Sequence, residues 1–121
     1  MARRRWARRT SADDGGVTAE FAVALPALLL MVTFAIGAVD AVLTKVQCVD
    51  AARDAALVAA RGGDGAAAAR TRVPTGAIVR VARDDGTVRV SIAVRITPLG
   101  SHLGGFDATA TAVATIEPGA P

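Results

Sequence analysis

A single cysteine, a single histidine and an aromatic content of 3% set the first limits on this chain of 121 residues. With Cys48 alone no intrachain disulfide can form, and the residue reads as a small apolar side chain. His102 is equally alone, so no His, Cys and Asp residues stand at the spacing of a metal site. There is no nucleophile elbow, no HExxH and no phosphate-binding glycine loop. The pair Gly15-Gly16 does not extend to GxGxxG, and no strand precedes it. Asp84 and Asp85 read as turn residues rather than ligands. An enzyme would have almost nothing to work with, and no metal, cofactor or small-molecule substrate is expected.

Charge is also missing over a long stretch. Residues 21–39, FAVALPALLLMVTFAIGAV, carry none. As a helix with a rise of about 1.5 Å per residue they span roughly 28 Å, close to a hydrocarbon core of about 30 Å. This is rather long for the apolar core of a secretory signal, which runs to about 7–15 residues. The basic residues are placed asymmetrically around it. Arg3, Arg4, Arg5, Arg8 and Arg9 precede the run, against Asp13 and Asp14, and account for the formal net charge of +3. The remainder of the chain balances nine basic against nine acidic residues. The basicity is therefore a terminal tag and not a nucleic-acid-binding face, and no nucleic-acid partner is expected. Arginines ahead of the span place the N-terminus in the cytoplasm. Pro26 removes a backbone donor and tends to kink a helix, which early transmembrane positions tolerate.

Helical patterning continues past Asp40 through AVLTKVQCVDAARDAALVAAR (41–61), so one helix is expected over about 20–61. Val42, Val46, Val49, Ala52, Ala56 and Ala60 fall at spacings of three and four and form one stripe, which allows close approach of another surface or packing against the protein's own sheet. Gly62-Gly63 supplies a stop, and Asp64 can cap a short helix through Arg70. The period then changes to two. AIVRVAR (77–83) reads as a strand and RDDGT (83–87) as a tight turn centred on Asp-Gly. TVRVSIAVRI (87–96) follows, with Val88, Val90, Ile92, Val94 and Ile96 on one face. After a loop at 97–105, FDATATAVATIE (106–117) alternates again, with Phe106, Ala108, Ala110, Ala112, Ala114 and Ile116 against Asp107, Thr109, Thr111, Thr115 and Glu117. Three successive strands imply an antiparallel meander.

A head of this size, with no disulfide or metal, supplies little net stability alone. One face of the meander must be covered, most simply by the emerging helix. The expected fold is α+β: a long N-terminal transmembrane helix continuing into a small head, a three-stranded antiparallel meander packed on the helix, shaped like a lollipop. The corresponding divisions are a basic cytoplasmic leader (1–15), a transmembrane and assembly helix (16–40) and its extracytoplasmic continuation (41–63). A linker with a short helix (64–76), a strand head (77–117) and a tail (118–121) complete the chain.

Glu20 stands at the mouth of the apolar run, preceded by Gly15 at a spacing of five. This G-x-x-x-x-E-F element, Gly15 through Phe21, behind a short basic leader resembles the prepilin peptidase cleavage element of type IV pilins. The wider stretch through Pro26 and Leu28-Leu29-Leu30 is similar to the TadE-like minor pseudopilins of tight-adherence (Flp-type) pilus systems. The resemblance is specific over about 15–30. It implies cleavage at Gly15 or Gly16, with the spacing to Glu20 favouring the bond after Gly15, and recognition through Glu20, Phe21 and Pro26. It also implies a pairing of Glu20 with the new N-terminal amine of a neighbouring subunit. The implied partners are a prepilin peptidase, other pilin-like subunits, Tad inner-membrane assembly proteins and membrane lipid. The implied location is the bacterial cytoplasmic membrane, single-pass, with the head extracytoplasmic. Two alternatives stay open: an uncleaved single-pass anchor whose head binds an extracytoplasmic partner, and a secreted protein cut after Gly37 with Ala35 at minus three. Asp13-Asp14 has no assigned role, and Asp40 is expected to lie at the interface near Lys45.

Overall fold

The structure, a computed structural model, describes residues 12–97, 100 and 104–119. The leader arginines Arg3, Arg4, Arg5, Arg8 and Arg9, together with His102, lie outside the described residues. Helix α1 spans Ala12–Ala60 and helix α2 Gly65–Arg70; strands β1 (Ile78–Asp84), β2 (Thr87–Ile96) and β3 (Phe106–Thr115) follow. The strands form one antiparallel sheet in the order β1-β2-β3. The fold is thus α+β, and the chain divides into two units, Met1–Thr33 and Phe34–Pro121.

α1 begins eight residues ahead of the expected start near Glu20, so Gly15 and Gly16 are helical and not extended. The far end of α1 closes as the glycines predict. Gly62 takes a positive φ of 84°, its amide bonds to the Ala59 carbonyl at 3.1 Å, and the Gly63 amide reaches back to Val58 at 2.9 Å. This is a Schellman closure, in which a left-handed residue lets two amides satisfy the last free carbonyls. Asp64 then caps α2, accepting from the Ala67 amide at 3.0 Å.

The sheet is built as its alternation requires. Asp84 pairs with Thr87, and Asp85 and Gly86 between them both have positive φ (39° and 77°), a two-residue hairpin turn of the primed type. Val88, Val90, Ile92, Val94 and Ile96 of β2 are all buried. On β3, Ala108 and Ala110 are buried and Ala112 and Ala114 half-buried, whereas Phe106 at the strand's start is 51% exposed. β1 begins and ends one residue later than expected, and β3 stops at Thr115.

The helical side of this core shares Ala52, Ala56 and Ala60, and half-buried Val49, with the stripe read in the sequence, and departs from it at the other positions. The buried positions are Cys48, Ala51, Ala52, Ala55, Ala56, Ala59 and Ala60, while Val42 and Val46 are 62% and 51% exposed. The buried face is rotated by roughly a quarter turn, about one residue's 100° step. The reason is steric. β2 presents large branched side chains, so the helix approaches with its smallest ones, and the two faces form one buried cluster. Cys48 behaves as one more small apolar residue of that face. Burial pushes its thiol up from its ordinary range, with Lys45 opposing in part.

The close approach is sharpest at Gly65. A Cβ there would stand 2.6 Å from the Ala55 carbonyl oxygen and 2.8 Å from the Ala59 Cβ. Neither neighbour is a flexible side chain. Gly65→Ala is therefore expected to destabilise the head by about 1–3 kcal/mol despite alanine's better helix propensity, checked by urea titration of the detergent-solubilised chain. An unchanged midpoint would disprove the contact.

Candidate functional site

The unusual surface of this molecule is the first half of α1. A Cβ at Gly15 or Gly16 would meet nothing within 4 Å. Glu20 is exposed, one residue before the apolar run. Eleven large apolar side chains between Phe21 and Val39 are 47–72% exposed. They lie on all sides of the helix and not in one stripe. Phe21, for example, shares a face with Ala24, Leu25, Leu28 and Met31, while Val23 and Leu30 point to the other side. Soluble monomers rarely expose contiguous apolar patches beyond a few hundred Å². A helix apolar all round belongs inside a large core or a bilayer.

Two backbone details fit a hydrocarbon environment. Thr33, the one polar side chain in residues 21–39, donates its hydroxyl to the Leu29 carbonyl at 2.8 Å, so no free hydroxyl faces outward. Pro26 lies inside α1, which includes the residues on both sides of it. α1 also runs unbroken through Ala35, Gly37 and Ala38, where the secretory alternative places its cut. The molecule thus has one helix long and apolar enough to cross a membrane among the described residues.

Of the residues singled out in the sequence, α1 brings Gly15, Gly16, Glu20, Phe21 and Pro26 onto one helix, all exposed. Asp40 and Lys45 are both exposed and form no ion pair with each other. Five residues apart, they leave the helix about 140° from one another. The head's charges pair elsewhere: Arg61 with Glu117 at 3.1 Å, Arg95 with Asp107 at 3.4 Å, and Arg72 with Asp54. All are surface pairs, each contributing at most about 1 kcal/mol. Their value is positional. Arg61–Glu117, together with the Glu117 amide bond to the Ala60 carbonyl at 3.2 Å, ties the chain beyond β3 to the end of α1. Among the described residues no three His, Cys, Asp or Glu side chains gather at metal-binding distance.

The apolar surface that pattern reading missed is the continuation beyond Asp40, where Val42, Leu43 and Val46 are also exposed. The signal was present as valines at helical spacing, but their stripe was equally compatible with packing on the sheet.

Comparison with known proteins agrees with this organisation. Residues 15–57 match the family model described as TadE-like protein. The chain is 37% identical over 102 residues to a protein of Mycobacterium tuberculosis named Apoptosis inhibitor Rv3655c, a match covering 83% of this chain and 78% of the relative. No solved structure matches. With the match centred on the helix that carries the Gly15–Glu20 element, the chain belongs to the TadE-like family.

Proposed function

We propose that the chain is a minor pilin-like subunit of a Tad-type pilus or secretion apparatus, made as a precursor and cut by a prepilin peptidase after Gly15. The observation that carries this reading is the exposed, all-round apolar half of α1, which opens with Glu20 five residues after Gly15. The family match also starts at Gly15 and leaves the basic leader outside it, as a disposable leader would require. The leader arginines hold the N-terminus in the cytoplasm, and the mature helix is stored in the bilayer with the head on the other side. Glu20, at the interface in the precursor, lies near the new amine after cleavage. A pairing of the two across subunits favours a fixed register more than it adds stability. Prepilin peptidase, other pilin-like subunits, Tad inner-membrane assembly proteins and lipid are the partners of this reading, and the subunit's role is structural.

The test is N-terminal sequencing of the membrane-associated protein from cells with and without the peptidase. The expected mature start is Gly16, present only with the peptidase. A start at Met1 or Ala2 in both strains identifies an uncleaved anchor. A soluble chain starting near Ala38 identifies a secretory signal.

A further inference from the structure

Within the unit Phe34–Pro121, α1 has two distinct faces. Cys48, Ala51, Ala52, Ala55 and Ala59 are buried in the cluster with the sheet. The opposite side carries Val39, Leu43, Val46, Asp50, Arg53 and Leu57, whose separations alternate strictly between four and three residues. Ile36 continues the series one step towards the N-terminus. This is the a and d spacing of a coiled-coil seam, held over about three heptads. The apolar members are 49–59% exposed, and Asp50 and Arg53 are exposed as well. On the same heptad the five sheet-facing residues fall at b, c and f, the positions turned away from a seam.

Neither the chain itself nor lipid covers this face. The sheet occupies the other side of the helix. Leu57 stands about 26 Å along the helix from Asp40, at about 1.5 Å per residue, and so lies well past the end of the uncharged run. The charges on the seam indicate what does cover it. Asp50 and Arg53 belong to no ion pair among the described residues, although they are three apart on one helix face. In a parallel, in-register pair of identical helices, the side chain at 50 enters a hole formed by residues 46, 49, 50 and 53 of the other helix. Asp50 then meets Arg53 of the second copy, and two-fold symmetry repeats the contact with the roles exchanged. A different helix needs a base and an acid at the same two levels, whereas a second copy has both by identity.

We propose that residues 39–57 of α1 form a parallel two-stranded coiled coil with a second copy of this chain, its register fixed by reciprocal Asp50–Arg53 pairs. Val39, Leu43, Val46 and Leu57 supply the apolar contact. The charged layers between them cost stability and exclude slipped registers, in which an acid or a base faces valine or leucine. The parallel direction rests on the membrane reading above; the seam and its charges do not.

The test uses the full chain in native membranes with Cys48→Ala, which leaves a small apolar residue in place, and one new cysteine at a time. Under copper phenanthroline oxidation, Val46→Cys and Leu57→Cys are expected to form disulfide dimers about tenfold or more faster than Lys45→Cys, which is exposed but off the seam. Adding Asp50→Arg to Val46→Cys should remove that advantage by setting four basic residues together. Adding Arg53→Asp as well restores the complement with the charges exchanged and should recover most of the rate, which a merely misfolded Asp50→Arg chain would not do. Equal rates at Val46→Cys and Lys45→Cys would overturn the seam, and indifference to Asp50→Arg would overturn the charge pairing. A Val46→Cys chain that crosslinks faster to a different protein would overturn the second copy as occupant. In detergent, where orientation is free, Val46→Cys mixed with Leu57→Cys should yield only the two homodimers; a predominant mixed dimer identifies antiparallel helices and would overturn the register. None of these readouts depends on where the N-terminus is cut.

Discussion

Ile92→Ala is expected to raise the rate at which a thiol reagent labels Cys48 in the folded, full-length chain by roughly thirty-fold to several-thousand-fold. Ile92 lies in the middle of β2 and is fully buried, as is Cys48 on the facing stripe of α1. Truncating a buried isoleucine costs about 2–5 kcal/mol, the lost transfer energy plus that of the cavity left behind. Each 1.4 kcal/mol is about a factor of ten in the open population. The cost should sit towards the upper end, because the helix face opposite Ile92 consists of alanines, which have no long side chains to swing into the space. Cys48 reports the opening directly. In the closed head it is sterically covered, and burial also holds the thiol protonated and thus unreactive. The control is Ile78→Ala. Ile78 is 57% exposed at the start of β1, and its truncation should leave the labelling rate almost unchanged. If Ile92→Ala labels no faster than the unaltered chain, the helix–sheet core is not what covers Cys48.

Gly15→Leu is the second large effect: an uncleaved precursor should accumulate and the chain starting at Gly16 should disappear. The structure adds a reason beyond the space a peptidase needs. Gly15 and Gly16 are helical in α1, and a protease must draw that turn out into extended backbone before cutting it. Each glycine makes the helix about 1 kcal/mol easier to open than alanine would, so the pair marks where α1 unwinds most cheaply. Leucine at position 15 both removes that weakness and puts a large side chain at the scissile bond. Gly16→Ala, which changes only the first of these by one residue, should slow processing and not stop it. Immunoblot mobility and N-terminal sequencing read both variants. Unchanged processing of Gly15→Leu would remove the peptidase from the proposed function.

Local physics was written openly in this sequence. The strict alternation of 87–96 placed Val88, Val90, Ile92, Val94 and Ile96 on one buried face. Asp85-Gly86 marked the hairpin, Gly62-Gly63 the end of α1, and Asp64 the cap of α2. Each depends on neighbours a few residues away, and the structure reproduces each. The uncharged run 21–39 was equally plain, because it needs only length and composition to be apolar on every side.

What the sequence could not decide were the questions of which surface meets which. Valine outranks alanine on any scale of hydrophobicity, so the valines at 42 and 46 pointed to the wrong face of α1. Only the sheet, with its branched residues already in place, selects the alanine face for close approach. Gly65 is another such case: in the sequence it is only the residue after the cap of a short helix, and only the fold sets it against the Ala55 carbonyl. The cover on β1 belongs here too, since nothing in the text of β1 says that α2 will lie beside it. Local pattern fixes periodicity and chain reversals because these are short-range. Facing and close approach follow from contacts between residues far apart in the chain, and they exist only once it has folded.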